Sequence, residues 1–460
     1  MSGHMAPWAD PHWSLAVDLY EISMVAGYWH GGMTFPATFE LTFRHMPPNR
    51  GYLIACGIET ALRYIQSLRF DETAIGYLRT VPAFAHLPEA FWDYLRAFRF
   101  TGTVWAVPEG TIVFAHEPVI VVHAPLPEAQ ILETFLLSVV NFQTMVATKA
   151  ARIVEAARGR GVVEFGLRRA HSPEAGFWAA RAAYVGGCIG TSNLQAGYAF
   201  HIPVYGTMAH SWVLAHRDEV DAFRHFHALF PENTILLVDT FDPLEGVRNA
   251  IAAGVPMRAI RLDSGDLAEL TRQARQLLDA AGRSEVKIIL SGDLNEYIID
   301  ALLQAGVPVD LFGVGTELVT SRDAPAMTGV YKLVAWEKDG TPIPRMKTSP
   351  GKLTLPGRKQ IYRFQDDRGM YHHDVLALAD ESVPGGQPLL RTYIEQGQWV
   401  ASFRPLPEVQ QYVREQLNRL PAAVRRLRNP ASYSVEWSAG VQDLVHQLTA
   451  DRKAPKRDEK

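Results

Sequence analysis

Cysteine is nearly missing from this chain: Cys56 and Cys188 are the only two in 460 residues. That excludes a disulfide framework or a Cys-rich metal site and fits a reducing compartment. A strong charge of one sign is missing too. Lys and Arg number 45 against 49 Asp and Glu, a net charge of −4, so no global basic field points to nucleic acid. No apolar run reaches the roughly 18 residues that span a bilayer. The N-terminus lacks a basic stretch leading into a hydrophobic one, so no secretory signal is expected and a soluble cytoplasmic protein is. Met1-Ser2-Gly3-His4-Met5 reads as a cloning scar. No His/Cys spacing matches a zinc site, so no metal-ligating side chains are predicted.

What is present is core. Hydrophobic residues make up 47% of the chain and charged ones 20%, ordinary for a globular protein, and the length allows two or three domains. The first part mixes elements. An apolar stripe from Asp18 to Trp29 predicts a helix, Thr38–Arg44 alternates like a half-buried strand, and Gly51–Gly57 reads as a second strand. Helices are expected at Ile58–Leu68, Asp71–Leu78 and Pro88–Phe98, and short strands at Thr103–Val107, Thr111–Ala115 and Val119–His123. This describes an α+β domain with an antiparallel sheet, followed by a long helix over Glu128–Ala157.

From Val162 the grammar changes. Strands are expected at Val162–Phe165, His201–Tyr205, Thr234–Val238, Met257–Leu262, Val286–Leu290 and Val309–Val314, alternating with helices that include Glu174–Tyr184, Asp218–Leu229, Pro243–Ala253, Asp266–Ala281 and Leu294–Gln304. Strand-then-helix repeats argue for a parallel α/β architecture. Beyond residue 328 strand-like runs return at Gly329–Trp336 and Gln360–Arg363, with a basic turn at Lys347–Lys352, an Arg-rich helical stretch at Pro405–Arg428, and a charged, frayed end from Asp451. Expected divisions are 1–157, an α+β domain with its linking helix; 158–328, an α/β barrel bearing the active-site face; and 329–460, strands and helices partly packing back on the first domain.

Polar and glycine-rich sequence follows nearly every strand of the middle region. An active-site face needs this in a barrel, and an open α/β sheet also binds ligands at strand C-termini. No Gly-x-Gly-x-x-Gly follows the first of these strands, which counts against a dinucleotide fold. Gly206-Thr207-Met208-Ala209-His210-Ser211 has the form of a strand-to-helix turn with free N–H groups that suit an anion. His210 there can hold a phosphate, shuttle a proton, accept a phosphoryl group, or simply bond a neighbour at a helix start. Gly313-Val314-Gly315-Thr316 offers N–H groups to a phosphate or makes a tight turn, and Gly292 beside Asp293 reads the same way. Asp239 and Asp263 suit sugar hydroxyls, a magnesium shell, or N-capping. Arg261 and Arg168 or Arg169 suit a carboxylate or phosphate, with exposed ion pairs as the ordinary alternative. Phe165 and Tyr20 can sandwich a flat ring or serve as core.

Taken together, Asp18-Leu19-Tyr20, Glu164-Phe165-Gly166-Leu167-Arg168-Arg169-Ala170-His171, Gly190-Thr191-Ser192-Asn193, Gly206–Ser211, Arg261-Leu262-Asp263-Ser264-Gly265-Asp266 and Gly313–Thr316 resemble the nicotinate phosphoribosyltransferase family over about residues 14–364. The resemblance implies the irregular (β/α) barrel of the type II phosphoribosyltransferase kind, with an α+β domain built mainly from the N-terminal segment. It implies joining of nicotinate to phosphoribosyl pyrophosphate in NAD salvage, coupled to ATP hydrolysis with Mg²⁺, in a homodimer with shared active sites. By the same resemblance His210 is the histidine phosphorylated by ATP. Tyr20 from the partner subunit and Phe165 flank the pyridine ring. Arg168, Arg261 and Thr207 belong to the nicotinate site and Thr316 to the phosphoribosyl pyrophosphate site. Asp239, Asp263, Gly292, Asp293, Gly313 and Gly315 fall on ribose and phosphate positions. Ser192 stands where the related nicotinamide enzymes carry Asp, and a serine removes a charge that would repel nicotinate. Val17 replaces a usual Thr. The alternatives are a nicotinamide phosphoribosyltransferase and a non-catalytic paralogue that binds phosphoribosyl pyrophosphate. Residues after about 365 match weakly and carry no assigned role.

Overall fold

The computed structural model describes residues 13–349 and 354–453. The expectations for Met1–Met5, for most of the Lys347–Lys352 turn and for the charged terminus beyond residue 453 lie outside the described residues. The chain divides into two compact units, one of residues 1–145 with 326–460 and one of residues 146–325. The first boundary therefore falls inside the long helix Glu133–Ala156, not at its end, and the C-terminal segment belongs to the same unit as the N-terminal one.

The reason lies in strand pairing. In the first unit Pro36–Phe43 sits between Gly329–Lys338 and Pro118–Pro125, antiparallel to both, in a seven-stranded sheet. Arg391–Glu395 extends the other side by pairing with Thr103–Ala106. C-terminal strands thus complete the sheet that the N-terminal strands begin. A four-stranded sheet, with Lys359–Gln365 and Tyr371–Leu378 at its centre, is built entirely from the C-terminal segment. The Thr38–Arg44 alternation predicts one wet face, yet Thr38 and Glu40 are buried. Each has a buried or half-buried partner: Lys359 Nζ reaches Glu40 at 2.8 Å, and Thr38 Oγ1 lies 3.0 Å from His123 Nδ1. Burial lowers the Lys359 pKa and raises that of Glu40, and the pairing opposes both shifts.

The helix expected over Glu128–Ala157 forms as two pieces, Leu126–Gln130 and Glu133–Ala156. Residues 126–156 together are long and apolar enough to cross a membrane by length and composition. However, 61% of the relevant window is buried inside the protein, as in a core helix.

The second unit carries six parallel strands in the order Gly190–Thr191, Gly161–Glu164, Leu311–Val314, Lys287–Leu290, Ala259–Leu262, Ile235–Leu237. Parallel strands covered by helices are buried on both faces and read as short continuous apolar runs, which is why five of the six expected strands form close to their expected places. His201–Tyr205 does not. It makes a single bridge, Val204 to Thr191, and is largely exposed. Pro203 lacks an N–H for a ladder. The sixth strand is Gly190–Thr191, two residues long, with too little apolar sequence to announce itself.

Candidate active site

The C-terminal ends of these strands surround a cavity of about 540 Å³. Most of the expected site residues line it. Phe165 and Arg168 follow the Gly161–Glu164 strand, Asp263 follows Arg261 at the end of Ala259–Leu262, and Gly292 and Asp293 follow Lys287–Leu290. Gly313, Gly315 and Thr316 come from the last strand, and Thr207 and His210 from the loop before the short helix His210–Leu214. Arg169, Ser192, Met208 and Ser291 line it as well. Charge is mixed but leans positive, with three arginines facing Asp263 and Asp293.

Two expected residues stand elsewhere. Tyr20 belongs to the first unit, on the helix Leu19–His30, and is 41% exposed. Asp239 does not line the cavity and is buried. Its Oδ2 accepts from the Asp263 N–H at 2.7 Å and from Ser264 Oγ at 2.9 Å. It braces the loop that carries Asp263, because its strand-end carboxylate turns toward the neighbouring strand.

The local bonds explain how each group is held. Ser291 Oγ donates to Asp263 Oδ1 at 2.5 Å. Gly292 adopts φ +105°, and a Cβ there would lie 2.4 Å from the Asp263 carbonyl oxygen, so the turn admits only glycine. Buried Glu164 accepts from Thr191 Oγ1 at 2.5 Å and from the Gly166 N–H. Burial pushes its pKa up, and these bonds oppose the shift. Through them the invisible two-residue strand is tied to the loop bearing Phe165 and Arg168.

His210 Nδ1 lies 3.2 Å from Thr240 Oγ1. Thr240 was the partner that sequence reasoning passed over, although it follows Asp239 at a strand end. Arg261 is the most desolvated cation at the cavity. Its Nε has no hydrogen-bond partner among the described residues and stands 4.0 Å from Asp263 Oδ1. Burial lowers its pKa, and the nearby carboxylates of Asp263 and Asp239 counter that. A planar guanidinium in a cavity, with only a 4.0 Å ion pair, suits a carboxylate ligand. Among the described residues no cluster of three or more His, Cys, Asp or Glu is placed to hold a metal ion. The donor set thus suits only a Mg²⁺ held largely by a substrate's phosphate oxygens, with Asp263 or Asp293 as the carboxylate beside it.

Comparisons with known proteins agree with this arrangement. Residues 15–141 match the nicotinate phosphoribosyltransferase N-terminal domain, 146–324 the quinolinate phosphoribosyl transferase C-terminal domain, and 385–445 the nicotinate phosphoribosyltransferase C-terminal domain. The last match lies in the region where the motifs alone show little likeness. A nicotinate phosphoribosyltransferase, pncB2, of Mycobacterium tuberculosis is 44% identical over 92% of this chain and 91% of its own length. The Bacillus subtilis nicotinate phosphoribosyltransferase is 40% identical over 95% and 96%, and the human one 32% identical over the same shares. Among solved structures, human nicotinic acid phosphoribosyltransferase superposes with a TM-score of 0.84 at 30% identity, covering 94% of this chain and 99% of that one. A nicotinate-nucleotide pyrophosphorylase from Pyrococcus furiosus superposes at 0.73 with 26% identity, covering 91% and 99%.

Proposed function

This chain belongs to the nicotinate phosphoribosyltransferase family, glycosyltransferases of NAD biosynthesis, and from that premise we propose how its own residues carry the reaction. Nicotinate and phosphoribosyl pyrophosphate are the substrates. The pyridine nitrogen attacks the anomeric carbon with its own lone pair as the bond to pyrophosphate breaks, so no general base is required. The protein must position the ring and stabilise charge on the leaving group.

Arg261 takes the substrate carboxylate, assisted by Arg168. Phe165 supports one face of the ring, and Tyr20 of the partner subunit covers the other in a homodimer. Ser192 leaves the carboxylate unopposed. The Gly313–Thr316 turn and Gly292 offer N–H groups to phosphates, and Asp293 and Asp263 meet ribose hydroxyls. Asp239 acts one step back, by fixing the Asp263 loop. Mg²⁺, when bound, neutralises the departing pyrophosphate.

His210 accepts the γ-phosphoryl group of ATP. A P–N bond forms at Nε2 as the β–γ bridging P–O bond breaks and ADP leaves, and water later takes the phosphoryl group. The bond to Thr240 at Nδ1 supports this choice of nitrogen. The observation that carries the reading is that His210 shares one cavity with Arg261, Phe165 and the Gly313–Thr316 turn. Cys56 and Cys188 are buried and are not joined in a disulfide, which fits a reducing cytoplasm.

The test is pyrophosphate release with nicotinate or nicotinamide, each with and without ATP. Nicotinate should be preferred and ATP should accelerate it. His210→Ala should lose the ATP stimulation and keep slow base transfer. Equal stimulation of parent and mutant would remove His210 from the phosphoryl path.

A further inference from the structure

Lys149 and Arg152 stand three residues apart on the helix Glu133–Ala156 and so share a face. Both are buried, an unusual place for long cations. Lys149 Nζ lies 2.6 Å from Glu296 Oε2 and 2.8 Å from Asp323 Oδ1, and Arg152 Nε donates to Glu296 Oε1 at 3.1 Å. A buried ion pair adds little stability over apolar side chains of the same volume, so stability alone does not account for these charges.

The places of their partners in the chain do. Glu296 opens the helix Glu296–Gln304, just after the Gly292–Asp293 turn. Glu317 directly follows Thr316 and stands 4.0 Å from the same ammonium, and Asp323 ends the segment that leaves this second turn. Both turns line the cavity. Their strands, Lys287–Leu290 and Leu311–Val314, pair through Ile289 with Leu311 and Leu290 with Phe312, so this ladder stops short of both turns. On its other side Leu311–Val314 stays paired with Gly161–Glu164 as far as Val314 and Glu164, and its link to the Phe165 loop does not depend on Lys149.

We propose that Lys149 is a positioning residue. From outside the cavity it bridges Glu296 and Asp323, and so fixes the spacing of the Gly292–Asp293 and Gly313–Thr316 turns and with it the grip on phosphoribosyl pyrophosphate. It does not act on nicotinate, which meets Phe165, Arg168 and Arg261 on other strands. The inference rests on the reading above that gives phosphates to these turns.

The experiment measures the initial-rate KM of each substrate in the full-length parent, Lys149→Met, Asp323→Asn and Thr316→Ala. KM does not depend on the folded fraction, so partial unfolding of Lys149→Met leaves it readable. Asp323, whose side chain is 28% exposed, gives a milder variant of the same bridge. The phosphoribosyl pyrophosphate KM should rise about tenfold in Lys149→Met and less in Asp323→Asn, within the roughly hundredfold that a misplacement of about 1 Å costs. The nicotinate KM should stay within about twofold in both, since the arginines that meet the carboxylate are untouched. A purely structural role would lower the rate per milligram with both KM values unchanged. That result, or a parallel rise of both KM values, overturns the proposal. Thr316→Ala, which alters the turn itself, should raise the phosphoribosyl pyrophosphate KM about tenfold or more. If it does not, the assignment of phosphate to this turn fails and the role of Lys149 fails with it. If it does while Lys149→Met and Asp323→Asn keep the parental value, the assignment stands and the bridge alone falls.

Discussion

The parallel-sheet unit buries charge in two contrasting ways. In one cluster the Lys149 ammonium is fully buried, 2.6 Å from Glu296 and 2.8 Å from Asp323, while the other Glu296 oxygen accepts from Arg152 at 3.1 Å. At the strand ends, Arg261 stands 4.0 Å from Asp263 and keeps an unpartnered Nε, and Asp239 Oδ1 is likewise unpartnered among the described residues. Both clusters set basic against acidic side chains, but Lys149 and Glu296 are wholly buried while Arg261 and Asp263 keep part of their surface at the cavity. Removing an ion from water costs several kcal/mol unless partners replace the lost hydration. The first cluster supplies those partners from within. The second leaves the cost standing, and a ligand carboxylate arriving at Arg261 would offset it. Close ion pairs, at 2.6 and 2.8 Å against 4.0 Å, separate that cluster from the site.

Mutation should break this contrast from both ends. Lys149→Met removes the buried ammonium shared by Glu296 and Asp323 and should lower unfolding free energy by about 3–5 kcal/mol. Urea unfolding reads this, and the nicotinate KM of the folded fraction should hardly move. A large KM change with little loss of stability would place Lys149 in the wrong class. Arg261→Ala should do the opposite. Losing a charge-assisted bond of about 1.5–3 kcal/mol raises the nicotinate KM roughly ten- to hundredfold. Because the guanidinium is poorly paired in the free protein, stability should change little, and a loss comparable to that of Lys149→Met would refute the distinction.

A smaller effect sharpens the comparison from the other unit. Glu21 accepts from the Asp18 and Thr134 N–H groups, at 3.0 and 2.9 Å. Burial raises its pKa from 4.5 to about 7, against the pull of those bonds. The unfolded chain releases this proton near 4.5 and the folded one near 7, so the folded state binds more protons between them and stability falls as pH rises through that window. Melting temperature followed from pH 4.5 to 7.5 should decline less steeply in Glu21→Gln than in the parent. Parallel curves would mean that Glu21 titrates normally.

Much of this could be read from residue order because the parallel unit writes its chemistry at regular intervals. Apolar runs at Ile235–Leu237, Ala259–Leu262 and Lys287–Leu290 each end in Asp or Gly, and buried strands with polar ends are local patterns. What escaped was non-local. Gly190–Thr191 is a strand only because Gly161–Glu164 lies beside it. Tyr371–Leu378 pairs with distant Ser434–Trp437 as well as with neighbouring Lys359–Gln365, and Arg391–Glu395 with distant Thr103–Ala106, and no pattern inside them names the distant partner. Asp239 and Thr240 carried the right chemistry one residue apart. Only the fold shows that the carboxylate braces a loop while the hydroxyl meets His210.

Gly313 gives the cavity its gauge. A Cβ there would sit 2.4 Å from the Phe165 ring, so the aromatic plate rests where a single methyl group would otherwise be. Gly313→Ala would lift the plate and narrow the slot above it. If Phe165 supports the substrate ring as proposed, the thickness of ring admitted is thus calibrated by one carbon that the chain leaves out.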